Sequence, residues 1–425
     1  MHIPSSNLPR IVIVGGGFGG LQLAKKLKNK PFQVVLVDRH NYHAFQPLLY
    51  QVATAGLEPD SIAYPLRKAF KKQRDFHFRV AEVLHVHAES KTISTNCGDL
   101  EYDYLVLATG SKTNFFGNES LEQNAMGMKS VPEALDLRSL FLQNFEQALV
   151  AETVKEREAL MTFVIVGGGP TGTELAGAMA ELKNHILPND YPDLDLRRMQ
   201  IHLIEAAPRV LAAMSEKSSA KANEYLEALG VNIWLDTRVE SYDGEVIHTH
   251  TGKELNSKFV IWAAGVKGAA VPGISAESIG GGNRIKVNTF NQVEGLKDVF
   301  AIGDIALMAT EENPRGYPMV AQPALQQGVL LAKNLIRLSK NKEMKPFSYS
   351  DKGSLATIGR NRAVADLPGL KTGGMFAWMI WMLVHIMALV GFRNKVVTFI
   401  NWSWAYIQYD KAARLIIRPF KKKLL

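Results

Sequence analysis

The sequence predicts an α/β fold with two similar parallel-sheet domains, one inserted within the other, followed by a helical C-terminal region. Two glycine-rich turns of nearly the same design, IVIVGGGFGG and FVIVGGGPTG, lie about 150 residues apart. Each turn follows an apolar β-branched run and opens a helical pattern, which is typical of a βαβ unit. Beyond residue 372 the chain becomes apolar, aromatic and basic. At 425 residues the chain is long enough for two or three domains.

The composition is that of an ordinary globular protein. Hydrophobic residues make up 47% and charged residues 21% of the chain. The segment Met1–Arg10 is short and polar, which predicts no signal peptide and a cytoplasmic protein. A single cysteine, Cys97, excludes an internal disulfide.

The first glycine turn predicts a dinucleotide site. Ile11–Val14 is apolar throughout, as a buried parallel strand would be. Gly15 suits the tight turn, Gly17 lets the backbone approach a pyrophosphate, and Gly20 lets the helix pack on the strand. A second strand ends in Asp38, 18 residues after Gly20, near the spacing of a carboxylate that binds a ribose diol.

The second turn repeats this design, with Gly167, Gly169 and Gly172 after the strand Phe163–Val166. Its terminal acid, Glu205, comes 33 residues after Gly172 because a proline-broken insertion separates the helix from the next strand. A carboxylate there accepts hydrogen bonds from a ribose 2′-OH and repels a 2′-phosphate, so the site should prefer NADH to NADPH. Two dinucleotides in one chain imply electron transfer between them.

Three later strands end in short motifs. Ala108-Thr109-Gly110 follows a buried strand, Ala264-Gly265 follows an equivalent strand, and Gly303-Asp304 follows a third. With them the chain resembles the two-dinucleotide flavoprotein reductases. The resemblance implies two Rossmann-like domains, with FAD on the first glycine turn, an NAD domain inserted in the FAD domain, and Asp304 on the ribityl chain of the flavin. Gly303-Asp304 as a mere turn is the alternative.

The predicted cofactor-binding residues fall into two sets. For FAD they are Gly15, Gly17, Phe18, Gly19, Gly20, Asp38, Arg39, Pro47, Ala108, Thr109, Gly110, Asp304, Ala321 and Gln322. For NADH they are Gly167, Gly169, Pro170, Thr171, Gly172, Glu174, Glu205, Ala264 and Gly265. No cluster with metal-ligand spacing is present, so no metal is expected.

Glu174, shortly after the second glycine turn, has two interpretations. One is an acid in the first helical turn, stabilised by the helix dipole. The other, implied by the resemblance, is a catalytic carboxylate where nicotinamide meets flavin, contacting nicotinamide or passing protons.

The lack of cysteines near the first glycine turn argues against an electron acceptor that reacts through sulfur. Disulfide reductases of this fold carry paired cysteines, and its peroxidases and sulfide:quinone reductases also need sulfur near the flavin. Here the region after Asp38 has no sulfur, and Cys97 lies in a polar turn where an incidental role is favoured.

Two segments point instead to a quinone. They are residues 41–67 and Ala321–Gly328, the latter reading AQPALQQG. With them the chain resembles the type II NADH dehydrogenases along essentially its whole length. The resemblance implies that Gln322 and Gln326 face a quinone and act in catalysis. Because they lie four residues apart, a polar helix stripe is the alternative.

The tail predicts peripheral membrane binding. Residues 393–425 carry eight basic residues and one acid, so +7 of the net charge of +8 lies there. Residues 373–392 are apolar enough to span a bilayer, but Trp378 and Trp381 in mid-segment favour an interfacial helix on anionic lipid. Nucleic acid is disfavoured as a partner. His385 is a candidate proton donor or a packed residue, since the lysine that some bacterial members place here is absent.

These inferences combine into a non-electrogenic NADH:quinone oxidoreductase, with menaquinone or ubiquinone as acceptor, on the cytoplasmic face of the inner membrane. A homodimer is left open. The expected domains are 9–115 (FAD, first part), 116–289 (NADH), 290–345 (FAD, second part) and 346–425 (membrane anchor). An NADH:ferredoxin reductase and a membrane-tethered redox sensor are the alternatives.

Overall fold

The computed structural model describes residues 1–71, 73–408 and 413–420, and these form two compact units. Unit 1 consists of Met1–Ala44, Tyr64–Lys112 and Val266–Asp351. Unit 2 consists of Phe45–Ala63, Thr113–Gly265 and Lys352–Leu425. The units divide the chain at other residues than the predicted domains, whose limits stay a prediction.

The described residues form α-helices and β-strands in a mixed order along the chain. The α-helices are α1 (Phe18–Lys26), α2 (Leu49–Ala53), α3 (Pro59–Ile62), α4 (Leu66–Ala69), α5 (Glu119–Asn124), α6 (Val131–Val150), α7 (Val154–Leu160), α8 (Pro170–His185), α9 (Leu187–Asp190), α10 (Glu216–Ala228), α11 (Ala321–Leu338), α12 (Met375–Ala388) and α13 (Phe392–Gln408). The strands are β1 (Arg10–Val14), β2 (Gln33–Asp38), β3 (Tyr42–Ala44), β4 (Ala63–Pro65), β5 (Phe76–Val80), β6 (Val83–His87), β7 (Thr92–Thr95), β8 (Leu100–Glu101), β9 (Tyr104–Leu107), β10 (Ser111–Thr113), β11 (Thr162–Val166), β12 (Gln200–Ile204), β13 (Asn232–Trp234), β14 (Val239–Tyr242), β15 (Val246–Thr249), β16 (Glu254–Asn256), β17 (Phe259–Trp262), β18 (Val266–Gly268), β19 (Ile279–Gly280), β20 (Arg284–Lys286), β21 (Val299–Ala301), β22 (Ala306–Leu307), β23 (Ser354–Gly359), β24 (Arg362–Leu367) and β25 (Leu370–Gly373).

Unit 1 is built on a parallel five-stranded sheet in the order β21-β9-β1-β2-β5. Ile11 pairs with Val34 on one side and with Tyr104 on the other, which centres the first strand in the sheet. The central strand is fully buried, as the unbroken apolar run IVIV predicts. An antiparallel sheet, β6-β7-β8, completes this part of the chain.

Unit 2 repeats the design with the parallel sheet β13-β12-β11-β17. Phe163 pairs with Ile201 and Phe259, as Ile11 does with its two neighbours. Two antiparallel sheets, β14-β15-β16 and β23-β24-β25, belong to the same unit. The predicted α/β class with two Rossmann-like sheets is therefore confirmed.

The C-terminal region ends in two helices rather than one long one. Helix α12 has 14 residues, about 21 Å at 1.5 Å per residue, and ends at Ala388, with Leu389 as its C-cap before α13 begins. Within residues 1–71, 73–408 and 413–420, no helix is both long and apolar enough to cross a membrane. The predicted tail residues Tyr409, Lys411 and Lys421–Lys423 lie outside the described residues.

Candidate functional site

The first glycine turn has the geometry of a ligand cradle. Gly15 takes a φ of 107° and its N–H donates to the Val37 carbonyl at 2.8 Å. A Cβ on Gly15 would fall on the Ala108 carbonyl oxygen, and one on Gly20 would fall on that of Gly15. At Gly17, by contrast, a Cβ would meet nothing within 4 Å. The backbone is therefore closed on the strand side and open where a pyrophosphate would lie.

The second turn reproduces this geometry residue for residue. Gly167 takes a φ of 113° and donates to the Ile204 carbonyl at 2.8 Å. A Cβ on Gly172 would fall on the Gly167 carbonyl oxygen, whereas Gly169 faces open space. Both turns thus fit a dinucleotide in the same way.

The two terminal acids are held in equivalent positions. Asp38 accepts the Gly16 N–H on Oδ2 at 2.5 Å and the His40 N–H on Oδ1 at 2.7 Å. Glu205 accepts the Gly168 N–H on Oε2 at 2.5 Å and the Ala207 N–H on Oε1 at 2.7 Å. Each carboxylate keeps lone pairs for a ribose diol, because each oxygen accepts only one backbone N–H.

Two of the buried polar atoms in unit 1 that lack a hydrogen-bond partner lie beside the first glycine turn. Thr109 Oγ1 and His43 Nε2 have no hydrogen-bond partner among the described residues. His43 uses Nδ1 to donate to the Gly16 carbonyl at 3.0 Å, and burial lowers its pKa to about 4. Orphaned buried polar atoms beside a glycine turn fit a site built for a polar ligand.

Asp304 is positioned by neighbours on both sides. The Ser111 hydroxyl donates to Asp304 Oδ2 at 2.6 Å. Gly303 takes a φ of 75°, and its N–H donates to Gln327 Oε1 at 2.7 Å. The side chain of Gln327 is buried, so it fixes the turn that carries Asp304.

A separate cavity of about 130 Å³ lies within unit 2. This volume is close to the ~150 Å³ cavity that admits one benzene ring in another protein. Aromatic side chains form much of its wall, namely Tyr50, Trp378, Trp381, Trp402 and Tyr406. Other polar side chains of the lining are Gln51, Thr54, Glu174, Glu181, Thr357 and Arg360. An apolar cavity with a few convergent polar groups is typical of a site for a small planar molecule.

Glu174 is one of the two carboxyl groups that line this cavity, with Glu181 as the other. It lies in the second turn of α8, so the interpretation as a first-turn acid is wrong. Its side chain is nearly buried, with 7% of the residue exposed. Burial raises its pKa to about 8, although hydrogen bonds from the Thr357 N–H and the Trp381 indole, both at 3.3 Å, act in the opposite direction. At neutral pH the group therefore carries a proton.

Tyr50, Gln51 and Trp402 form a hydrogen-bonded chain along the same wall. The Trp402 indole donates to Gln51 Oε1 at 2.7 Å, and Gln51 Nε2 donates to the Tyr50 hydroxyl at 2.9 Å. Tyr50 is 5% exposed, and burial, followed by the nearby Glu174, raises its pKa well above the usual range. Its hydroxyl therefore stays protonated.

The chain matches two known family models. Residues 9–328 match the pyridine nucleotide-disulphide oxidoreductase family, and residues 352–408 match the NDH2 C-terminal domain. The type II NADH:quinone oxidoreductase of Mycobacterium tuberculosis is 35% identical over 413 residues, covering 94% of this chain and 88% of that protein. The chain belongs to the type II NADH:quinone oxidoreductases.

Other members of the type II family extend the likeness. The Haemophilus influenzae enzyme is 31% identical over 89% of this chain and 93% of its own. The structure of Plasmodium falciparum NDH2 in complex with NADH has a TM-score of 0.89 at 22% identity, covering 96% of this chain and all of that one. The predicted family is thereby confirmed.

The two predicted cofactor sets of this type II enzyme separate by unit. The residues predicted for FAD lie in unit 1, except Pro47, which lies in the short helical turn Gln46–Leu48 of unit 2. The residues predicted for NADH all lie in unit 2. Arg39 is exposed and pairs with Glu82 at 3.9 Å.

The glutamines of the AQPALQQG motif make contacts with residues 349–350 that the sequence analysis did not predict. Gln326 donates to the Ser350 carbonyl at 2.9 Å and accepts the Ser350 N–H at 3.0 Å. Gln322 accepts from the Tyr349 hydroxyl at 3.4 Å. Both glutamines therefore hold residues 349–350 beside α11, and their contact with a quinone stays a prediction.

His385 is a packed residue in this type II enzyme. Its ring stacks on Trp381 with centroids 4.2 Å apart, and Nδ1 lies 2.7 Å from the Trp381 carbonyl. Burial lowers its pKa to about 4, so the ring is neutral at physiological pH. Since the carbonyl can only accept, Nδ1 carries the ring proton and Nε2 has none to give. The candidate role of His385 as proton donor is not supported.

Several functional residues were missed by the sequence analysis. Tyr50 and Gln51 lie within residues 41–67, which the sequence analysis linked to a quinone only as a segment, and they converge with Trp381 only through packing. Gln327 belongs to the AQPALQQG motif, whose other two glutamines were predicted to face a quinone. Its position in the motif does not predict that its side chain accepts the Gly303 N–H.

Proposed function

We propose that this chain transfers two electrons from NADH to a membrane quinone, menaquinone or ubiquinone, with FAD as the bound electron carrier. Membership of the type II NADH:quinone oxidoreductases supports this reaction. The duplicated glycine cradle also supports it, because each turn fits one dinucleotide. The balance is NADH + H⁺ + quinone → NAD⁺ + quinol.

FAD belongs to the turn in unit 1 and NADH to the turn in unit 2. In unit 1, Gly17 faces the pyrophosphate, Asp38 takes a ribose, and Ser111 orients Asp304 toward the sugar chain. In unit 2, Glu205 takes the ribose of NADH and disfavours NADPH. When bound, FAD accepts a hydride from NADH and releases electrons to the quinone.

The observation that carries the quinone assignment is the protonated Glu174 in an aromatic cavity. Reducing a quinone to a quinol leaves a hydrogen on each oxygen, and a general acid beside the ring would speed the proton delivery. Glu174 holds its proton because of burial, at a pKa of about 8. Its pKa lies near neutral pH, where general acids act best. Gln322 and Gln326 hold residues 349–350 beside α11, and their predicted contact with the quinone stays part of the proposal.

We place the membrane contact on an exposed apolar face of α12 and α13, called the apolar face below. Its members are Met375, Phe376, Met379, Leu383, Val384, Met387, Phe392, Val396, Phe399, Ile400, Trp404 and Ile407, all exposed. They recur at intervals of three and four residues, so they line one side of each helix. Exposed apolar surface of this extent is typical of a protein or membrane interaction site.

The four basic residues of the tail that the structure describes are already engaged within the protein. Arg414 pairs with Asp190 at 2.6 Å, Arg418 with Asp136 at 2.5 Å, and Arg393 with Asp60 at 3.2 Å. Lys395 donates to the Met387 carbonyl at 2.7 Å. Among the described residues, the membrane contact is therefore mainly apolar. We also propose that it lies on the cytoplasmic face of the inner membrane and that the reaction has no pumping step. A homodimer stays a prediction.

Stopped-flow flavin absorbance tests the proposed reaction. NADH should bleach the flavin of the purified holoenzyme at once, NADPH should do so far more slowly, and a short-chain quinone should restore the colour. A flavin that NADH reduces and that a quinone leaves reduced would rule the acceptor out. A ferredoxin in place of the quinone tests the alternative acceptor directly, and proteoliposomes with an internal pH dye test for pumping.

A further inference from the structure

The hydrogen-bonded chain of Trp402, Gln51 and Tyr50 has a fixed polarity. An indole Nε1–H can only donate, so the side-chain atom of Gln51 facing it at 2.7 Å must be the amide oxygen. The other end of the amide is then the NH₂ group, which donates to the Tyr50 hydroxyl at 2.9 Å. One donor-only group therefore sets the direction of both bonds.

The direction of these two bonds determines which hydrogen bond the Tyr50 hydroxyl can still make. Its oxygen already accepts from Gln51, so its own hydrogen is left over for a different acceptor. Within residues 1–71, 73–408 and 413–420, no side-chain or backbone group accepts it. Tyr50 is only 5% exposed and lines the same cavity as Glu174. A buried donor without an acceptor is costly, and a ligand in the cavity would relieve that cost.

We propose that the Tyr50 hydroxyl donates a hydrogen bond to a carbonyl oxygen of the quinone, with Gln51 and Trp402 as the positioning residues that keep that hydrogen available. This rests on the proposed function, because it places the quinone in the unit 2 cavity. Tyr50 binds and orients the ring, whereas Glu174 supplies the proton. No bond to hydrogen is broken at Tyr50, so it regenerates without a further reactant.

Tyr50→Phe removes the hydroxyl and keeps the ring. We expect KM for a short-chain quinone to rise on the order of tenfold, the cost of one lost hydrogen bond. Reduction of the flavin by NADH should be unchanged, and so should turnover with ferricyanide, which has no carbonyl to bind. Tyr242→Phe is the matched control, because that buried hydroxyl donates to the Ser257 carbonyl at 3.0 Å and does not line the cavity.

Gln51→Glu tests the polarity without touching Tyr50. A carboxylate can only accept, so it would take hydrogens from both Trp402 and Tyr50 and leave none for the quinone. This variant should therefore raise KM for quinone as Tyr50→Phe does. Trp402→Phe frees the amide to turn and should produce a smaller rise.

The outcomes separate the two proposals. If wild-type enzyme reduces quinone and both Tyr50→Phe and Gln51→Glu keep the wild-type KM, Tyr50 does not bind the ring, while the proposed function stands. If the wild-type flavin is reduced by NADH but never reoxidised by quinone, the proposed function fails first. A Tyr50→Phe protein that loses ferricyanide turnover is misfolded, and Gln51→Glu then decides.

Discussion

At the scale of single residues, Glu174 shows how burial alone changes the chemistry of a carboxyl group. Its two hydrogen bonds both favour the charged form, yet the pKa rises to about 8 because desolvation outweighs them. The side chain therefore enters the neutral pH range as an acid. Hydrogen bonding and solvent exclusion oppose each other here, and solvent exclusion wins.

Replacing Glu174 by Gln should separate binding from proton delivery. The amide keeps the shape and one acceptor but has no acidic proton, so quinone-dependent kcat should fall ~10²–10⁴-fold. In the wild type, kcat should decline as pH rises through about 8, because the acid loses its proton there. Steady-state kinetics from pH 6 to 9.5 check both. A Gln variant with wild-type kcat and slope would remove Glu174 from the mechanism.

Trp381→Phe tests the balance between hydrogen bonding and burial. Removing the indole N–H removes a bond that stabilises the carboxylate, so the pKa of Glu174 should rise further. The alkaline limb of the pH profile should move to higher pH. Trp378→Phe is the control, because Trp378 lines the same cavity without bonding to Glu174. Profiles that shift equally in both variants would point to a general packing effect.

At the scale of elements, Gly177 is a position where helix propensity predicts the wrong sign for the stability change on substitution by alanine. A glycine inside α8 costs about 1 kcal/mol relative to alanine in an isolated helix. A Cβ at this position, however, would fall on the Ile358 carbonyl oxygen of β23. Gly177 therefore permits the close approach of α8 and β23, two elements that carry Glu174 and Thr357.

Gly177→Ala should destabilise the protein by ~1–3 kcal/mol, the usual cost of overpacking. The melting temperature of the holoenzyme should fall accordingly. Gly281→Ala is the matched control, since a Cβ there meets nothing within 4 Å and the backbone has no positive φ. A higher melting temperature for Gly177→Ala would show that the gain in helix propensity outweighs the cost of overpacking against β23.

The apolar face is the element-scale feature with the clearest test. Leu383→Glu combined with Met387→Glu places two charges on residues that are 64% and 62% exposed. Vesicle flotation should show most of the double variant in the soluble fraction, since charges resist burial in the headgroup layer. Val150→Glu, at a residue 79% exposed on α6, should float like the wild type. If both variants lose vesicle binding equally, an added charge disrupts binding wherever it lies, and the position on the apolar face does not matter.

At the scale of the whole molecule, the repeat of one glycine cradle in two units allows the cofactors to be assigned separately. Asp38→Asn should lose flavin on gel filtration, since the Gly16 N–H and a ribose both depend on that carboxylate. Glu205→Ala should keep its flavin and show a KM for NADH raised about tenfold, with a narrower preference over NADPH. The flavin-to-protein absorbance ratio and the two KM values report this. Loss of flavin from Glu205→Ala would reverse the assignment.

The sequence predicts the two glycine turns and their sheets better than it predicts the cavity in unit 2. Gly15 and Gly167 could be assigned because a tight turn after a buried strand admits little else, and the strand, turn and acid lie within about 40 residues of each other. The cavity could not be predicted, because Tyr50, Glu174 and Trp402 are brought together from α2, α8 and α13 by packing over long sequence separations. Apolar pattern likewise located the tail but not the break at Leu389.

The ion pairs made by Arg393, Arg414 and Arg418 have a practical consequence for anyone who purifies this enzyme. Because those three guanidinium groups are already paired with aspartates, molar salt has little lipid attraction left to screen at these residues. Salt of the sulfate type strengthens the association of apolar surfaces instead. Washing membranes with high salt should therefore remove other proteins and leave this enzyme bound, whereas a mild detergent should release the enzyme.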